Sequence, residues 1–122
     1  WLGEFAEPIE KSFFKYVDPQ ESSTVTAVRS AELSGSGVPT LKIAALDGKN
    51  FELSTYPCLP QDIEQAWHPD QLPARDLKVV NVAAANYGVG GVDSWGSMPE
   101  HDKRIKAGKT YEFAFSIVGD DD

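Results

Sequence analysis

The sequence predicts an all-β domain, built as an antiparallel β-sandwich or barrel. Three observations lead there. Apolar and polar residues alternate over Thr110 to Val118 (TYEFAFSIV), turn signals recur about every 8–15 residues, and helix signals occur in a single short stretch.

In chain order, Val25, Ala27, Ala31 and Leu33 fall at alternate positions between Ser23 and Leu33, interrupted only at Arg29, which predicts a first strand. Leu41, Ile43 and Ala45 alternate in the same way, as do Phe51 and Leu53. Between these two runs stands Asp47-Gly48, a dipeptide that tolerates the paired positive φ angles of a type I′ turn, so the two are expected to form a hairpin. The helix is expected from Pro60. Proline suits a first helical position, Asp62 and Glu64 favour the positive end of the helix dipole, Ile63 and Trp67 share a face four residues apart, and His68-Pro69 should stop it. The β-branched run from Asp76 to Ala83 (DLKVVNVA) predicts a more buried strand. In the last strand Tyr111, Phe113, Phe115 and Ile117 would line one face, with Thr110, Glu112, Ala114 and Ser116 opposite.

The chain has 122 residues, enough for one domain or part of one, and too few for a catalytic barrel of roughly 250 residues. Lys and Arg total 11 against 19 Asp and Glu, a net charge of −8, opposite to the footprint of a phosphate-backbone binder; no nucleic-acid partner is expected. No apolar run approaches the length that spans a bilayer, so no membrane partner is expected either. The single Cys58 excludes an internal disulfide and suits cytoplasm or periplasm equally. The opening Trp1-Leu2-Gly3-Glu4 has neither an initiator Met nor a basic apolar leader, as expected of a mature or excised fragment, one domain piece over 1–122 ending in a solvated acidic tail at 119–122.

The unusual stretch is Tyr87 to Met98 (YGVGGVDSWGSM), where Gly88, Gly90, Gly91 and Gly96 surround Trp95. Glycines at this density let the backbone turn sharply and approach a ligand closely. A loop Trp offers a flat apolar face for the axial C–H patch of a sugar ring, and Asp93 and Ser94 can hydrogen-bond its hydroxyls; the rival reading folds the indole back on the core. Other chemistries find less support. Asp93, Ser94 and His101 lack a strand–turn–helix elbow and an oxyanion hole, so they form no nucleophile triad. His68, His101 and Cys58 match no closed zinc spacing, and no metal site is expected. No pair of carboxylates suggests the cleft of a glycosidase, so no residue is assigned as catalytic.

Gly88-Val89-Gly90-Gly91-Val92-Asp93-Ser94-Trp95-Gly96 resembles the GxGGDDSW signature near the C-terminus of bacterial β-galactosidases of the family-two glycoside hydrolases. Pro19-Gln20-Glu21 with Val28-Arg29 is similar to that family's PQE…VR segment, and Tyr56, Ile63, His68, Leu72-Pro73 and Asn81 recur in its order. Pro99, Ile105, Gly108 and Tyr111-Glu112-Phe113-Ala114-Phe115 resemble its closing strand. The likeness covers roughly Tyr16 to Val118.

The resemblance implies a small-chain-like C-terminal sandwich, domain five of such an enzyme, similar to the galactose-mutarotase supersandwich and representing its C-terminal half. It also implies a parent that hydrolyses terminal β-galactosides by a retaining mechanism, with both catalytic glutamates and magnesium in a separate TIM-barrel domain and no cofactor in this chain. Trp95 then supplies a platform for the aglycone sugar, with Asp93 and Ser94 beside it. The barrel domain is the expected partner, and unpaired strand edges favour a homo-oligomer. The sequence departs from the family pattern at Val92 and Ala83, where aspartates usually stand, and at Ser30, where tryptophan is frequent. Two alternative functions are a free-standing carbohydrate-binding module and a purely structural assembly domain.

Overall fold

The computed structural model describes residues 2–13, 23–86 and 95–120. Among them are six strands, β1 (Val25–Val28), β2 (Ser30–Gly35), β3 (Val38–Ala45), β4 (Phe51–Tyr56), β5 (Val79–Ala83) and β6 (Phe115–Asp120), and two short α-helices, α1 (Ile9–Ser12) and α2 (Pro60–Gln65). The strands form two three-stranded sheets, ordered β1-β4-β5 and β2-β3-β6. The all-β class and the strand content of an antiparallel sandwich are therefore those the sequence predicts. The chain divides into two compact units, 1–26 with 53–82 and 27–52 with 83–122.

In the first unit, Phe13, Tyr56, Cys58 and Ile63 form the core, and Ala66, Leu72 and Val79 pack against them. Phe13 meets Tyr56 edge to face, with centroids 5.9 Å apart. Phe13 caps the C-terminal end of α1, a helix the sequence does not predict. This helix is a single turn after Pro8, whose carbonyl accepts the N–H groups of Lys11 and Ser12. Tertiary contacts hold it rather than propensity: the Ser12 and Thr55 hydroxyls lie 3.2 Å apart, and Glu10 pairs with Lys78 at 2.7 Å. Helix α2 begins at Pro60 as expected and buries Ile63. It ends at Gln65, so Trp67 lies beyond the helix and is exposed instead of sharing the buried face with Ile63.

In the second unit, β3 lies between β2 and β6. The antiparallel registers align Ala31, Ile43 and Ile117 across the sheet, with Glu32, Lys42 and Val118 as the next row. Ile43 and Phe51 are buried. The Phe51 and Phe115 rings sit 6.5 Å apart, and Phe115 stacks on Phe113 at 5.5 Å.

Four expectations about strands are corrected. The Asp47-Gly48 turn forms, with φ of 55° and 69° and the Lys49 N–H bonded to the Leu46 carbonyl, but it does not make a hairpin: β3 and β4 belong to different sheets. The hairpin partner of β3 is β2, joined through Gly37 at φ +75°. Ser23 to Leu33 is two strands in two sheets, β1 and β2, parted at Arg29, and within β1 Ala27 adopts a φ of 57°, outside the extended region. Leu53 does not share the burial of Phe51; Phe51, Ser54 and Tyr56 are buried. Finally, β5 and β6 are shorter or later than predicted, β6 opening at Phe115 and leaving Tyr111 exposed and Phe113 half-buried.

Candidate functional site

Trp95 is 91% exposed. The next residue, Gly96, has φ +88°, in the left-handed region that favours glycine, and no atom lies within 4 Å of where a Cβ would be. Its glycine is thus required by the turn and not by crowding. Downstream the chain is fixed quickly. Pro99 is buried, and its carbonyl accepts a hydrogen bond from Arg104 Nε at 2.6 Å. The Lys103 N–H returns to the Glu100 carbonyl, closing one turn of 3₁₀ helix over His101–Lys103. The Tyr111 hydroxyl accepts from the Lys106 N–H at 2.8 Å and donates to the Lys106 carbonyl at 3.1 Å. These contacts begin four residues downstream of Trp95, whose indole is exposed. Such an arrangement can offer a flat apolar face to a ligand ring.

Gly88, Gly90, Gly91, Val92, Asp93 and Ser94 lie outside the described residues. Of the positions that depart from the family pattern, Ser30 opens β2 opposite Ala44, and Ala83 ends β5 half-buried. His68 and His101 are exposed, whereas Cys58 is buried. Burial pushes the Cys58 thiol above its ordinary value, and the Asp62 carboxylate adds to the effect. Among the described residues no three His, Cys, Asp or Glu side chains converge as a metal would need, so the donor set for magnesium is not met there. Nor is any described helix long and apolar enough to cross a membrane.

A family model described as β-galactosidase small chain matches residues 1–117. The chain belongs to this family. It is 38% identical over 114 residues to a β-galactosidase of Halalkalibacterium halodurans, covering 93% of this chain and 11% of that protein. A β-galactosidase of Streptococcus thermophilus is 36% identical over 118 residues, covering 96% of this chain and 11% of that protein. A β-galactosidase small subunit of Latilactobacillus sakei is 39% identical over 77 residues, or 63% of this chain and 24% of that protein. The chain thus spans about a tenth of the length of the first two relatives. Membership of the small-chain family agrees with the resemblance carried by the glycine–tryptophan motif.

The sequence reading missed a second exposed indole, Trp67, 84% exposed. The signal was present. His68-Pro69 predicts a helix end just after Trp67, yet α2 already closes at Ala66, whose N–H bonds to the Asp62 and Ile63 carbonyls.

Proposed function

We propose that this chain is the C-terminal module of a retaining β-galactosidase and that its Trp95 loop contributes the aglycone side of the active site. The catalytic carboxylates and magnesium belong to a separate barrel domain, and this chain alone does not hydrolyse galactosides. The observation that carries the reading is the exposure of Trp95, next to a glycine at φ +88°, within a chain of the β-galactosidase small-chain family. An exposed indole can meet the apolar face of a sugar ring. Asp93 and Ser94, adjacent in sequence, supply hydroxyl partners, and the flanking Gly88, Gly90 and Gly91 let the backbone come close. The Latilactobacillus sakei relative, named a small subunit, supports a module that works beside a larger catalytic partner.

The test is Trp95→Ala in the full-length parent. Loss of one stacking contact is expected to weaken glucose binding at the aglycone subsite by on the order of 1–3 kcal/mol, roughly 5- to 150-fold, while hydrolysis of an aryl galactoside is largely retained. Phe51→Ala serves as the stability control, because Phe51 is buried. Unchanged glucose affinity with a melting temperature lowered as far as that of Phe51→Ala would make Trp95 a core residue and end the platform reading.

A further inference from the structure

Trp67 is exposed although the backbone beneath it is held from several sides. Its N–H donates to Gln71 Oε1 at 2.7 Å, and the His68 N–H donates to the same oxygen at 3.1 Å. Ala66 on one side and Leu72 on the other both pack against the Phe13, Tyr56, Cys58 and Ile63 core. The Leu72 N–H returns to the Pro69 carbonyl at 3.3 Å. An indole on such a bracket has already lost its backbone freedom, which lowers the entropic cost of burying it against a partner.

Charge narrows the partner. Glu64 and Asp70 stand three residues to either side of Trp67, both are exposed, and neither joins an ion pair among the described residues. A neutral sugar can hydrogen-bond these carboxylates but cannot neutralise their charge, whereas a protein surface carrying Lys or Arg does both. Length supplies the partner's source: about nine-tenths of the Halalkalibacterium halodurans and Streptococcus thermophilus relatives lies outside the matched segment.

We infer that Trp67 is the anchor by which this module docks on the remainder of its parent polypeptide, the indole entering an apolar pocket with basic residues at its rim. The inference rests on the reading of the chain as a module of a longer β-galactosidase.

Hydroxyl-radical footprinting of the full-length parent, read at single tryptophans by mass spectrometry, tests it. Trp67 is expected to oxidise at least about tenfold more slowly in the native than in the urea-unfolded parent, with or without added galactose, as a desolvated anchor should. Reversing both charges with Glu64→Lys and Asp70→Lys should reduce that protection, most of all at low ionic strength. If Trp67 oxidises at its unfolded rate in the native parent, the docking role is wrong. Protection that appears only with galactose overturns it too, and makes Trp67 a sugar platform. Protection unchanged by the charge reversals overturns the basic rim. Trp95 is read in the same spectra, and its response to glucose tests the aglycone platform separately, so the two proposals can fail independently.

Discussion

Arg75 grips both carboxylate oxygens of Asp62, with Nη2 2.6 Å from Oδ1 and Nε 3.0 Å from Oδ2. Asp62 Oδ2 also accepts the Leu59 N–H at 2.9 Å, so one side chain ties the start of α2 to the segment after Leu72. The Arg75 guanidinium, seconded by that backbone donor, holds the Asp62 carboxyl below its ordinary value despite the opposing effect of burial.

A depressed carboxyl stabilises the fold above its unfolded value and loses that contribution as pH falls through the folded one. Wild-type stability should therefore decline as pH drops below about 4, and Asp62→Asn should be less stable at neutral pH with a shallower acid limb. Denaturant midpoints measured from pH 7 to pH 2 check this; parallel limbs would dismiss the role of Asp62. The pair Lys103–Asp102 is exposed, and removing it should alter the curve little.

Ile63→Ala should destabilise the protein by about 2–5 kcal/mol, because Ile63 is 3% exposed within the core of the first unit. Chemical denaturation measures it, and a loss below about 1 kcal/mol would mean that the cluster collapses around the gap.

The Cys58 thiol should resist modification in the native protein. It is buried, and its ionisation is suppressed by that burial and by Asp62, so the reactive thiolate is scarce at neutral pH. A thiol reagent followed by absorbance should react slowly in buffer and promptly in urea. Equal rates would show that the core around Cys58 opens readily.

Gly96→Ala should strain the turn after Trp95 by on the order of 1–2 kcal/mol, since Gly96 is held at φ +88° with open space around it. Gly37→Ala, at φ +75° in the β2–β3 turn, provides a matched strain elsewhere. Both should lower the melting temperature of the parent, whereas only Gly96→Ala should weaken glucose binding. Equal glucose affinities would separate the turn from the platform.

What was legible in the sequence was local. Pro60 with Asp62 marked the start of α2, and Asp47-Gly48 marked a chain reversal, because these residues act through their own dihedrals and nearest neighbours. Partnership was not legible. The same reversal serves a hairpin or a passage between sheets, and only the pairing of β3 with β2 and β6 decides which. The left-handed Ala27 was equally hidden, since alanine carries no signal for positive φ. Helix α1 escaped because its support comes from Thr55 and Lys78, distant in sequence. At the site, Trp95 is exposed outside the strands and helices, while the four-residue spacing that puts Ile63 and Trp67 on one helical face fails because α2 ends at Gln65.

The place of β3 between its neighbours sets an order of events during synthesis. Its hairpin with β2 can close as soon as both have emerged, but its other edge pairs with β6, where Lys42 and Asp120 stand 78 residues apart. At a typical elongation rate of roughly 5–20 residues per second, that edge waits on the order of 4–16 s for its partner. Through that interval the nascent chain exposes an unfilled row of backbone donors and acceptors, a natural point for a ribosome-associated chaperone to bind or for neighbouring chains on one messenger to entangle.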